Sequence, residues 1–177
     1  MPAPSRSWWA TDAVLYDVLY EPLAAHLCWL SPNIVTVACF LLVEPLVYGL
    51  HVGWPLWVLI VIAFVRQSLD CLDGAIARRC GSVSKLGALL DVLEDTATVA
   101  VLSLFVLWSV WDKSRWLRLV VSYIVTHALV VYGRQITDYV AGRPVTYSAF
   151  EQFIHDNTVV FAVAFIAAFR WMIHGQV

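Results

Sequence analysis

Four aspartates, Asp70, Asp73, Asp91 and Asp95, fall within 26 residues of an otherwise apolar chain. Asp70, Asp73, Gly74, Ala77 and Arg78 stand at i, i+3, i+4, i+7 and i+8, which on a helix is one stripe. Gly87, Asp91 and Asp95 stand at i, i+4 and i+8 and form a second. A short polar loop joins the two segments, so the helices are antiparallel neighbours whose stripes can face each other. Four converging carboxylates repel one another, and divalent cations remove that penalty. Oxygen-only ligands suit hard ions such as Mg²⁺ or Mn²⁺. Gly74, Ala77 and Gly87 leave clearance for a ligand against the backbone, and Arg78 adds a permanent cation whose planar fork suits phosphate. The combination fits chemistry on a phosphate ester. Spacing alone also allows charges lining an ion pathway, or solvated helix ends. Glu94 is off the stripe and is expected as a solvated or headgroup-facing charge.

The elements that must position these residues are apolar. The chain of 177 residues is 61% hydrophobic and 14% charged, with mean hydropathy +0.76 and nine tryptophans. A soluble domain is about 45–50% apolar and about 25% charged, and Trp favours the membrane–water boundary. The expected fold is all-α: a single-domain polytopic membrane helix bundle over residues 1–177, with about five to six transmembrane helices. The net charge of −2 gives no reason to expect nucleic acid. The five histidines show no HExxH spacing, and Cys28, Cys39, Cys71 and Cys80 form no CxxC pair. All four cysteines are expected as small buried hydrophobes. The N-terminus has no signal-peptide pattern.

A spanning helix needs about 20 mostly apolar residues. Five stretches qualify: Asn33–Val52, with Glu44 and Pro45 inside it; Trp54–Cys71, continuing as a polar helix through Arg79; Lys85–Trp111; Trp116–Asp138; and Thr158–Ile173, after a polar approach from Ser148. Residues 8–30 differ. Leu15, Leu19, Leu23 and Leu27 recur every four residues among Asp12, Asp17, Glu21 and His26. That pattern predicts an amphipathic helix lying in the interface, with an ordinary packed helix as the alternative. Ser31 is an N-cap candidate and Pro32 fits the first helical position. With the N-terminus and the polar loop on one side, that side holds Arg6, Arg78, Arg79, Lys85, Arg134 and Arg143, against Lys113, Arg115, Arg118 and Arg170. The excess places the polar loop in the cytoplasm.

The run Asp70-x-x-Asp73-Gly74-x-x-Ala77-Arg78, eight residues, Gly87-x-x-x-Asp91-x-x-x-Asp95 resembles the signature of the CDP-alcohol phosphotransferase family at every fixed position. At about 5–10% per residue type, a chance match is roughly 10⁻⁸ or rarer. "SPNIVT" at residues 31–36 also looks like the family's entry to its first helix. The resemblance implies an integral membrane enzyme of phospholipid synthesis. Such an enzyme cleaves the pyrophosphate of a CDP-linked donor, passes the phosphoryl-bearing part to an alcohol and releases CMP. By that likeness Asp70, Asp73 and Asp91 hold the metal, a pair of Mg²⁺ or Mn²⁺ ions, with Asp95 close by as the base for the acceptor hydroxyl. Gly74 and Arg78 would contact the CDP moiety, as would Asn33, Thr36 and Ser84. Homodimerisation is also a family expectation, as are six spanning helices against the five counted here.

The acceptor is less legible. "SKLGALLDVLED" resembles the branches that move a phosphatidyl group from CDP-diacylglycerol to a small polar alcohol, inositol or glycerol-3-phosphate. It lacks the Pro and Lys common near the last two aspartates in one, and Thr96 replaces the Arg common in the other. Transfer of phosphocholine or phosphoethanolamine to diacylglycerol is the runner-up, and a non-catalytic membrane paralogue the rival from another class. Arg134 and Arg143 are candidates for an acceptor pocket, with snorkelling cations the alternative. His127 is expected as a satisfied interhelical histidine.

Overall fold

The structure is a computed structural model that describes residues 11–113, 115–143 and 158–175. Trp8, Trp9 and Arg6, and the polar approach at residues 148–157, lie outside the described residues. Every described element is helical. Helix α1 (Thr11–Leu15) widens into a π-helical turn (Tyr16–Tyr20) and continues as α2 (Glu21–His26). Next in the chain come α3 (Pro32–Leu41), α4 (Val43–Val52), α5 (Leu56–Arg79), α6 (Lys85–Ser109), α7 (Arg115–Val140) and α8 (Thr158–His174).

The first expected span is interrupted. Pro45 has no N–H to return to Leu41, and its ring crowds that carbonyl, so the helix breaks at Leu42 into α3 and α4. Pro32 stands at the first helical position as expected. Ser31 has the extended backbone of an N-cap, but its side chain makes no capping hydrogen bond. Residues Pro32–Val52 and Arg115–Val140 are long and apolar enough to cross a membrane, by length and composition; the apolar run Val160–Met172 is shorter.

The four leucines of the N-terminal segment divide: Leu15 and Leu27 pack against a small core, whereas Leu19 and Leu23 face outward. The π-turn takes up an extra residue and rotates the helix beyond it. Tyr20 and Ala24 become fully buried, while Leu19 and Leu23 are about 40% exposed. Tyr20 and Ala24 pack with Val35, Leu72, Ala75 and Ile76 as one small core. The Tyr20 hydroxyl lies 3.2 Å from Ser68 Oγ, and burial pushes its phenol pKa up. A second, larger core at the other end joins Leu46, Leu50, Leu59, Ala63, Val106, Val110, Val121, Ile166 and Phe169.

Helix α5 runs through both cores, with Arg66, Gln67 and Asp70 between them. It ends where Gly81 takes φ +67° and Ser82 N–H returns to Ala77 O at 3.0 Å, a left-handed stop that glycine permits. Ser84 then caps α6, its Oγ accepting from Gly87 N–H at 2.9 Å. Helix α3 packs against both α5 and α6, whose backbones scarcely touch each other. The acidic stripes therefore face each other across a gap.

Candidate active site

The gap holds two cavities. The smaller, about 310 Å³, is lined by Asn33 and Thr36 of α3, Asp73, Gly74 and Arg78 of α5, and Ser84, Gly87 and Asp91 of α6 and its cap. The larger, about 550 Å³, is lined by Asp70 and Asp95, by Asp12 and Tyr16 of the N-terminal segment, by Tyr132 of α7, and by further residues of α4, α5, α6 and α8. The four aspartates thus divide into pairs, one pair to each cavity.

Each pair is anchored locally. Thr36 Oγ1 donates to Asp73 Oδ2, fixing that buried carboxylate. Gln67 Nε2 donates to Asp70 Oδ2 at 3.1 Å. The side chain of Asp95 is 40% accessible. Gly74 and Gly87 keep the smaller cavity open. A Cβ at Gly74 would come within 3.1 Å of Arg78 Nη1, and one at Gly87 within 3.1 Å of both Asn33 Oδ1 and Ser84 Oγ. Arg78 is exposed and held by the π-turn: its Nε and Nη2 donate to Tyr16 Oη at 3.2 and 3.1 Å, with the guanidinium 5.2 Å from the ring centre. All five residues expected at the donor site therefore line one cavity, and Tyr16, which sequence reasoning missed, orients its cation.

Glu94 is neither solvated nor lipid-facing. It is 6% exposed, and both carboxylate oxygens accept from Arg66 Nη2, at 2.8 and 3.0 Å. Thr98 Oγ1 donates to Glu94 Oε1 at 2.9 Å and accepts from Arg66 Nη2 at 3.1 Å. Arg66 Nη2 also lies 3.9 Å from Asp95 Oδ1. Arg66 Nε is buried without a hydrogen-bond partner. The physical reason for the burial is α3: it covers the side of α6 next to the acidic stripe, bringing Cys39 Sγ within 3.6 Å of Glu94 Oε1. Two isolated opposite charges in apolar helices were the available signal for this pair.

The donor set fits a hard divalent ion. Asp70 feels the charges of Asp95, Glu94 and Asp91, and Asp73 those of Asp91 and Glu94, but no three of the four aspartates bring ligand oxygens within 4.8 Å of one another. Among the described residues, the group whose ligand atoms all lie within 4.8 Å of one another is Cys39, Asp70 and Glu94. That trio could hold a metal, but it contains a soft thiol and a carboxylate that Arg66 already neutralises.

Three further expectations come out differently. Cys28 and Cys80 are not both small buried hydrophobes: they form a disulfide joining the turn after α2 to the C-cap of α5, with Cα atoms 5.4 Å apart. Packing of α2 on α5 brings together two thiols that sequence separates by 52 residues. Cys39 is buried and free as expected, and Cys71 is half-buried. His127 is exposed and stacks on Tyr123 of its own helix, ring centres 6.4 Å apart, instead of bridging helices. Arg134 is exposed, and Arg143 pairs with Asp138 at 2.8 Å; neither lines the two cavities.

A family model described as CDP-alcohol phosphatidyltransferase matches residues 29–176. A CDP-diacylglycerol–glycerol-3-phosphate 3-phosphatidyltransferase of Cereibacter sphaeroides is 32% identical over 108 residues, covering 59% of this chain and 48% of that protein. Cholinephosphotransferase 1 of Xenopus laevis is 35% identical over 86 residues, 43% of this chain and 21% of that one. An uncharacterized CDP-alcohol phosphatidyltransferase class-I family protein 2 of Dictyostelium discoideum is 31% identical over 109 residues, 56% and 24% of the two chains. The chain therefore spans about half the length of these relatives or less. No solved structure matches it significantly.

Proposed function

The chain belongs to the CDP-alcohol phosphatidyltransferase family, and from that premise we propose that it moves a substituted phosphate group from a CDP-linked donor to an alcohol and releases CMP. The observation that carries the reading is the division of the acidic cluster between two cavities. A nucleotide-bearing donor and an alcohol can then approach the same carboxylates from two sides, which is what displacement at phosphorus requires.

The smaller cavity takes the donor. Arg78 supplies the cation for the pyrophosphate, Gly74 and Gly87 the clearance, and Asn33, Thr36 and Ser84 the hydrogen-bonding edge. Asp70, Asp73, Asp91 and Asp95 would hold one or two Mg²⁺ or Mn²⁺ ions, which when bound offset charge on the pyrophosphate and the departing CMP. Asp95, in the wall of the larger cavity, takes the proton of the attacking hydroxyl. Position makes it effective, since a weak base aligned on the hydroxyl acts as bond formation polarises it. Thr36 and Gln67 keep Asp73 and Asp70 from rotating out of the cluster. The enzyme works as a multi-pass membrane protein, supported by the exposed Trp116, Tyr123 and Ile124 on α7. Its acidic end faces the cytoplasm in this reading, and homodimerisation is proposed from the family alone.

CMP release from CDP-linked donors by the purified chain tests the reading. Release that stops with EDTA and returns with Mg²⁺ or Mn²⁺ supports it. Release that persists in EDTA removes the ions, and no release with any acceptor favours a non-catalytic paralogue.

A further inference from the structure

Resting on that reading, we infer that the acceptor is an uncharged alcohol carrying an apolar chain, of the diacylglycerol class, rather than a small polar or phosphorylated one. The larger cavity changes character along its length, and both helices that bound it change in step. On α5 the wall passes from Asp70 through Arg66 and Gln67 to Ala63; on α6 it passes from Asp95 through Thr98 to Leu102. Each passage takes seven residues, about 10 Å at 1.5 Å per residue. Beyond that level the wall is Leu46, Leu50, Phe165 and Ile166.

A molecule with its hydroxyl at Asp95 must place the rest of itself along this gradient. A small polyol would stay among the polar groups, Asp12, Tyr16 and Tyr132 included, and leave the apolar end unfilled, or bury hydroxyls against Leu46, Leu50, Phe165 and Ile166, at about 1–3 kcal/mol each. A hydrocarbon chain meets apolar wall at the depth where its headgroup ends. Charge points the same way. Among the described residues lining the cavity, Arg66 is the cation, and Glu94 holds it with both carboxylate oxygens. A phosphorylated acceptor would need that guanidinium and would strand Glu94, which is 6% exposed. Arg134 and Arg143 do not line the cavity.

The chemistry balances with such an acceptor. Its hydroxyl oxygen bonds to the donor phosphorus distal to cytidine, and the hydroxyl proton passes to Asp95. The bridging P–O bond of the pyrophosphate breaks, and its electron pair leaves with CMP.

The test gives the full chain in detergent micelles one acceptor at a time: diacylglycerol, glycerol-3-phosphate or inositol. Each is paired with a CDP-aminoalcohol and with CDP-diacylglycerol, and CMP is measured. CMP release at least tenfold faster with diacylglycerol than with either polar acceptor is the expected result. Release with glycerol-3-phosphate or inositol and not with diacylglycerol overturns the acceptor while leaving the transferase reading intact. If no pair releases CMP, the transferase reading fails, and binding decides the cavity's occupant separately. A diacylglycerol with a photoreactive group on its chain should then label the peptide around Phe165 and Ile166, with unlabelled diacylglycerol competing. Labelling confined to the outer face of α7, or insensitive to competitor, overturns the inference.

Discussion

Replacing Arg66 or Glu94 by methionine, singly and together, probes the buried pair at the centre of the site. The Arg66 side chain is 11% exposed and that of Glu94 4%, so solvent screens neither charge well. Removing one partner of such a pair costs about 3–5 kcal/mol, whereas replacing both by apolar residues of similar volume is often neutral or stabilising. The two single variants should differ. Arg66→Met leaves Glu94 the Thr98 hydroxyl, at 2.9 Å, and the weak Cys39 thiol donor, at 3.6 Å, and should cost the full amount. Glu94→Met leaves a guanidinium whose Nη2 already lies 3.9 Å from Asp95 Oδ1. Asp95 can close that distance, so the stability cost should fall near about 3 kcal/mol. The capture ties the proposed base to a cation, and turnover should drop more than tenfold. Thermal unfolding followed by tryptophan fluorescence reads stability, at about 2–4 °C per kcal/mol for a chain of this size. The double variant should recover most of the loss, a coupling of about 2 kcal/mol or more. A double variant that costs the sum of the singles would show that the charges do not interact and refute the argument.

Asp95→Asn should abolish CMP release while donor affinity stays within about threefold, measured by protection of the chain against thermal unfolding. If affinity falls in parallel, Asp95 serves the donor before it serves the hydroxyl. Arg78→Lys removes the planar fork that meets Tyr16 and, on the proposed reading, the pyrophosphate, and should raise the donor KM about tenfold; an unchanged KM rules out direct contact. Reduction of Cys28–Cys80 should lower stability by about 2–4 kcal/mol, seen as a melting shift absent from a Cys28→Ala, Cys80→Ala variant.

The acidic stripes were legible because a helical period and a short loop are local facts, and Gly81 and Ser84 mark the end of α5 and the start of α6. The packing between helices was not local. The leucine pattern of residues 15–27 assumes an unbroken α-helical period; a π-turn interrupts it, and Tyr20 and Ala24, not Leu19 and Leu23, face the protein core. Glu94 is one residue, or about 100°, away from the acidic stripe, which on an isolated helix faces outward. Only the position of α3 turns that direction inward, and α3 is itself cut short by Pro45. The disulfide depends in the same way on how α2 lies along α5.

On the proposed reading, the division of four aspartates between two cavities also predicts a stereochemical and kinetic outcome. With donor and acceptor seated on opposite sides of the carboxylates, neither has to leave before the other enters. Turnover then passes through a ternary complex, with intersecting double-reciprocal plots rather than the parallel lines of a covalent relay. A single displacement from the far side inverts configuration at phosphorus. A chiral thiophosphate donor would carry that inversion into the lipid product as a permanent record of which cavity each substrate came from.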